Sequence, residues 1–206
     1  MANPATDNGE FIRVMTSSFD PIWNDKGSGA ARDGAFWHPK AQAHLRPMGS
    51  IAVGNYSNIN GNYSAILVGA NPNVSTKGVQ PPVASPEGYN QIWNDKGSGA
   101  EKDGSIWRPV APSGYVAMGD IAQSGYSQPD TNRIWCLRAD LAKNARYGTQ
   151  SIWDDKKSGA DKDVSVWEIQ SNLKGADDPK IVQINSFRAS QNYSPPDTSF
   201  AVLPEI

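Results

Sequence analysis

Histidine and cysteine are nearly missing from this chain: its 206 residues include two histidines, His38 and His44, and one cysteine, Cys136. A single thiol excludes an internal disulfide framework. Its place in Ile134-Trp135-Cys136-Leu137 reads as a buried, inert side chain. The sequence also has no His/Cys metal cluster, no Gly-x-Ser-x-Gly elbow and no Walker loop. Basic runs are absent, with 19 basic against 21 acidic residues and a net charge of −2, so nucleic acid is not an expected partner. No 18-residue apolar run occurs, and Met1-Ala2-Asn3-Pro4-Ala5-Thr6-Asp7 lacks a basic region followed by an apolar one. A cytoplasmic protein, or one exported without a classical signal peptide, is expected. Helical periodicity is missing too, which leaves an all-β chain.

What the chain has is a repeat. Trp23-Asn24-Asp25-Lys26-Gly27-Ser28-Gly29-Ala30, continuing through Asp33 to Trp37, returns from Trp93 through Asp95, Gly97, Ser98, Gly99 and Asp103 to Trp107. It returns again from Trp153 through Asp155, Ser158, Gly159 and Asp163 to Trp167. The two tryptophans of each copy are 14 residues apart (37 − 23, 107 − 93, 167 − 153). Repeats of this length are supersecondary units stacked or closed on their siblings, so a threefold fold is expected.

In chain order, residues 1–9 read as a flexible polar tail, and 10–206 as a single domain of three units, about 10–79, 80–140 and 141–206. Phe11 to Met15 is a strand candidate. Ile22-Trp23 ends a strand, residues 24–32 form a Gly-rich loop and Asp33 to Trp37 return, giving a hairpin with a long tip. Met48-Gly49-Ser50-Ile51-Ala52 with Tyr56 recurs as Met118-Gly119-Asp120-Ile121-Ala122 with Tyr126, and more loosely as Ser186 to Ala189 with Tyr193. Apolar strands at 65–68, 134–137 and 200–203 close the units. Four strands per unit give twelve, and the polar links near 70–90 and 170–183 are where the copies vary.

Alternation along the returning strand puts Phe36, Ile106 and Val166 on a small apolar core face. Trp37, Trp107 and Trp167 share the other face with Asp33, Asp103 and Asp163, which predicts tryptophans near the sheet surface. They either pack against Trp23, Trp93 and Trp153 across each hairpin or offer a stacking platform to a sugar ring or a membrane interface. The repeated aspartates read first as loop caps that accept backbone N–H bonds; calcium ligation is the less favoured alternative, and no metal or other cofactor is expected. The Gly-Ser-Gly-Ala tips are either turns or nests of amides able to hold an anion, a phosphate or a sugar hydroxyl. Two histidines confined to one unit, beside carboxylates that recur like structural parts, argue against catalysis.

The motif W-x-D-x-x-S-G-A-x-x-D-x-x-x-W, followed in the second unit by Arg108-Pro109 and Gly114-Tyr115-Val116-Ala117-Met118-Gly119-Asp120, resembles the vacuolar protein sorting-associated protein 62 family from about residue 10 to 206. The hairpin tip is also similar to that of multivesicular-body-associated β-prism domains. This resemblance implies a β-prism I fold, three four-stranded antiparallel sheets about a pseudo-threefold axis. The third unit departs from the pattern with Lys157 in place of Gly27 and Gly97, and with Glu168-Ile169 in place of Arg108-Pro109. The resemblance assigns no reaction. By analogy with lectins of the same architecture, a non-enzymatic carbohydrate-binding module is expected. Its ligand-binding residues would be Asp25, Gly27, Ser28, Gly29, Asp33 and Trp37, Asp95, Gly97, Ser98, Gly99, Asp103 and Trp107, and Asp155, Ser158, Gly159, Asp163 and Trp167. The alternatives are a peripheral phospholipid-binding or toxin-targeting module and a vesicle-sorting adaptor. A glycan or membrane surface is the expected partner, with self-association left open.

Overall fold

The structure is a computed structural model that describes residues 4–76, 78–172 and 180–205. Residues 1–3 of the expected tail and 173–179 of the second polar link lie outside the described residues. Among the described residues regular structure is antiparallel β, apart from three single-turn 3-10 helices. The four-strands-per-sheet expectation is not what is found: the sheets hold two to four strands each.

Each unit divides its strands between an inner and an outer sheet. The inner sheet is the hairpin and one further strand: Phe19–Asn24, Ala35–Pro39 and Ile51–Val53 in the first unit, and Gly88–Asn94, Gly104–Val110 and Ile121–Ser124 in the second. In the third it is Trp153–Asp154, Ser165–Gln170 and Phe187–Ser190, extended by Arg146–Tyr147. The outer sheets diverge. In the first unit Phe11–Thr16 pairs with both Thr6–Asn8 and Ala65–Ala70, so part of the expected flexible tail is an edge strand. In the third unit the outer sheet has shrunk to Ala142–Asn144 against Val202–Pro204.

The hairpins place the tryptophans differently from simple alternation. A register shift between Pro21 and Trp23 pairs Trp37 with Pro21 and Phe36 with Trp23. The second hairpin repeats this, pairing Ile106 with Trp93 and Trp107 with Gln91. One extra residue on a strand reverses the face of everything before it. Trp23 therefore joins Phe36 on the axial face, and the expected packing of Trp23 on Trp37 does not occur.

On the axis, Trp23, Trp93 and Trp153 form a triangle of edge-to-face rings, with centroids 5.4, 5.8 and 5.7 Å apart. Such pairs contribute about 0.5–1.5 kcal/mol each beyond the area they bury. Phe36, Ile106, Val166 and Phe187 complete this axial core. Trp37, Trp107 and Trp167 are also buried, at 8%, 8% and 7% exposure, in three separate cores. Trp37 packs with Phe19 and Ile59, Trp107 with Tyr89 and Ile134, and Trp167 in a larger cluster with Tyr147 and Leu203. The inner sheets are thus covered on both faces, and no tryptophan of the repeat lies at the sheet surface.

Candidate functional site

The three tip loops meet around the axis and bond to one another in a closed cycle. The Glu101 amide donates to the Lys26 carbonyl (2.8 Å), the Asp161 amide to Lys96 (2.9 Å) and the Ala31 amide to Lys156 (2.9 Å). The axial tryptophans follow the same cycle. The Trp23 indole N–H donates to the Lys102 carbonyl (2.6 Å), Trp93 to Lys162 (2.8 Å) and Trp153 to Arg32 (3.0 Å). Each unit is therefore fastened to the next, and the third back to the first.

Within a loop, the first aspartate is the organiser. Asp25 is buried; its Oδ1 accepts from the Gly34 amide (3.0 Å) and the Tyr56 hydroxyl (2.6 Å), and its Oδ2 from the Trp153 indole (2.8 Å). Asp95 accepts from the Gly104 amide and the Tyr126 hydroxyl, and Asp155 from the Val164 amide and the Trp93 indole. Burial raises the Asp155 pKa above the ordinary carboxylate value. Ser28, Ser98 and Ser158, all buried, accept from the amides two residues on. Among the described residues no group of three or more His, Cys, Asp or Glu side chains is arranged to hold a metal ion.

The solvent face of the ring belongs to other residues. Gly27, Gly29, Asp33, Gly97, Gly99, Asp103, Gly159 and Asp163 are exposed there, together with Lys26, Arg32, Lys96, Glu101, Lys102, Lys156, Lys157, Asp161 and Lys162. Gly27 and Gly97 adopt φ of +85° and +84°, and Lys157 holds the equivalent left-handed conformation at +69°. Each unit has a tyrosine at the rim beneath a lysine: Lys26 over Tyr56 (4.9 Å), Lys96 over Tyr126 (4.9 Å) and Lys156 over Tyr193 (4.6 Å). Tyr126 and Tyr193 donate to Asp103 and Asp163 at 3.0 and 2.8 Å. Burial, followed by these carboxylate bonds, raises all three tyrosine pKa values well above the ordinary one. The expected ligand residues therefore separate into buried supports (the first aspartates, the serines, the tryptophans) and an exposed rim (the second aspartates and the glycines). The rim also carries lysines and tyrosines that are not among the expected ligand residues, although the tyrosines recur in step with the motif.

His38 is buried within the fold, away from the tip ring. Its Nδ1 lies 3.0 Å from the hydroxyl of fully buried Ser50, and its Nε2 is 3.3 Å from the Arg133 carbonyl. The Ser50 hydroxyl also accepts from the Ala122 amide at 3.0 Å, so the pair ties the first unit to the second.

These features define a class: an internally repeated all-β protein whose three hairpins close around a tryptophan triangle and expose a polar ring. The chain belongs to the vacuolar protein sorting-associated protein 62 family, whose model matches residues 2–203. The solved structure of GNIP1Aa from Chromobacterium piscinae is similar, with 25% identity and a TM-score of 0.72 over 94% of this chain. The chain spans 37% of that protein's length. No curated protein matches the chain.

Proposed function

We infer that this is a non-catalytic recognition module of β-prism type, each unit one face of the prism, which binds carbohydrate through the exposed ring of tip loops. The observation that carries this reading is the ring itself, a polar surface fixed by inter-unit backbone bonds at 2.8–2.9 Å. Donors and acceptors held on a rigid scaffold lose little entropy when a hydroxylated ligand arrives. Three copies of the rim let weak contacts add. With the tryptophans buried, recognition rests on hydrogen bonds donated by Lys26 and accepted by Asp33, and by their counterparts, rather than on stacking against indole faces.

One observation favours a second reading. Exposed Lys26, Arg32, Lys96, Lys102, Lys156, Lys157 and Lys162 outnumber exposed Asp33, Glu101, Asp103, Asp161 and Asp163 on the ring of a chain whose net charge is −2. A locally basic face suits phospholipid head groups. The rim has no cluster of large apolar side chains for insertion, which places this reading second.

A glycan array, run with calcium and with chelator, tests both. The carbohydrate reading expects a restricted glycan set, lost in the triple variant Asp33→Asn/Asp103→Asn/Asp163→Asn while the melting transition is kept. A blank array together with salt-sensitive binding to phosphatidylserine vesicles would promote the membrane reading. Silence in both assays would remove the ring as a binding site.

A further inference from the structure

At the end of the strand Gly104–Val110 remote from the tips, a cavity of about 310 Å³ opens between the second and third units. Pro109, Ala111, Val116, Ala117, Phe200 and Val202 give it apolar walls, and Arg108, Arg188 and Ser199 are its polar lining. Both guanidiniums pair with one carboxylate. Arg108 Nη2 is 2.9 Å from Asp120 Oδ2, Arg188 Nη1 is 2.8 Å from Asp120 Oδ1, and Asp120 is fully buried. The Arg108 and Arg188 side chains are 19% and 3% exposed.

The charges do not balance: two cations face one anion, leaving an excess of +1 against an apolar wall. The excess sits on Arg108, which keeps a 19% exposed side chain, so a ligand that displaced the remaining water there would have to bring a counter-charge, because an unpaired charge out of water is costly. Each Arg188 nitrogen has a partner: Nη1 bonds Asp120, and Nε and Nη2 donate to the carbonyls of Phe200 and Ala117. Arg108 uses Nε and Nη2 on Asp120 and the Ala189 carbonyl, and its Nη1 has no partner among the described residues. Its guanidinium lies 4.8 Å from the ring of Phe200, itself 42% exposed at the cavity mouth. A carboxylate placed at Nη1 would neutralise the excess and complete the guanidinium's hydrogen bonds, while its hydrocarbon body covered Phe200 and the aliphatic wall.

The geometry points to a second ligand site, distinct from the tip ring, that takes a small organic monocarboxylate with an apolar body. The volume lies at the lower end of the roughly 300–1,000 Å³ range of ligand pockets, which suits a short-chain acid and not a long lipid. The repeat marks this site as particular to one of the three junctions between units. Arg108 stands where the first and third units have His38 and Glu168, and Arg188 stands where the first two have Ile51 and Ile121.

Octanoate titrated into the full chain, followed by calorimetry and thermal melting, tests the assignment, with octanamide and octylammonium as controls. Saturable heat and a rising melting temperature are expected for octanoate and for neither control. Arg108→Gln should weaken binding by about tenfold or more, the loss of a charge-assisted hydrogen bond. Ala111→Trp, at a half-buried wall position, fills the cavity without touching the charges and should abolish binding in a protein that still melts cooperatively. Equal responses to octanoate and octanamide, unchanged affinity in Ala111→Trp, or no heat with octanoate at millimolar concentration would each overturn the proposal.

Discussion

Trp153 of the third unit lies against Gly34 of the first: a Cβ added at Gly34 would stand 2.4 Å from the indole Cδ1. Gly104 has the same relation to Trp23, at 2.3 Å, while the third unit carries Val164 at this position, packed in the core that holds Trp93. The ring of units closes where these glycines admit an indole. Gly34→Ala and Gly104→Ala should each destabilise the fold by about 1–3 kcal/mol or more, the range for overpacking a filled core. The check is the urea midpoint, which should fall with little change in slope.

Trp37 shows the reverse, a partner that the repeat supplies elsewhere. The indoles of Trp107 and Trp167 donate to Ser105 and Ser165 at 2.8 Å, but Ala35 occupies that position in the first unit and the buried Trp37 Nε1 has no hydrogen-bond partner among the described residues. Ala35→Ser should stabilise by about 1 kcal/mol, the net worth of a buried hydrogen bond. A raised thermal midpoint is the readout, and a lowered one would mean that the hydroxyl does not fit beside Trp37.

Lys157 occupies a conformation that its equivalents reach with glycine. A side chain in the left-handed region costs about 1–2 kcal/mol. Lys157→Gly should therefore gain about 1 kcal/mol, less the greater freedom of glycine in the unfolded chain. Gly27→Ala should lose stability, since alanine is strained at the φ of +85° that Gly27 adopts and its Cβ would also crowd the Gly99 carbonyl oxygen at 3.1 Å. The pair of opposite signs is measurable by chemical denaturation.

Burial, helped by the nearby Arg133 charge, lowers the His38 pKa from its ordinary 6.5 to about 3. The unfolded chain then binds a proton between these values that the folded one refuses, so stability falls as pH drops from 6.5 towards 3. The loss is on the order of 1.4 kcal/mol per pH unit within that window. His38→Gln should flatten the slope there. A slope identical to the parent's would show that His38 is protonated in the fold.

Asp120 acts at lower pH. Burial alone would raise its pKa, but Arg188, Arg108 and the Ala189 amide outweigh that and hold it below the ordinary value. Its stabilisation is present above the unfolded carboxylate pKa and lost as pH falls through the folded one. Cys136 needs no acid to be tested. Burial pushes its thiol up to about 12, and a disulfide reagent at neutral pH should label it only after unfolding.

Local chemistry explains which parts of this architecture can be read from the chain. The motif that repeats, the hairpins, the left-handed glycines of the tips and the odd Lys157 are local features of each copy, and the sequence carries them directly. The same motif carries the resemblance to the family, whose model matches residues 2–203. Strict alternation misplaced the tryptophans, because the register shift beside Trp23 and Trp93 is a single-residue event with no compositional mark. The divided outer sheets, with as few as two strands in the third unit, depend on long links that vary among the copies.

Which unit clasps which was decided by the tertiary structure alone. The bond from Trp153 to Asp25 joins residues 128 positions apart, and that from Arg188 to Asp120 joins residues 68 apart. No local propensity encodes such pairs; they arise when three similar units bury their apolar faces together and each indole finds the next loop. The charge excess beside Phe200 has the same origin. In the sequence Arg188 is only a cation at a position where its siblings are isoleucine, and the closure of the ring is what sets it beside Arg108 over a shared carboxylate.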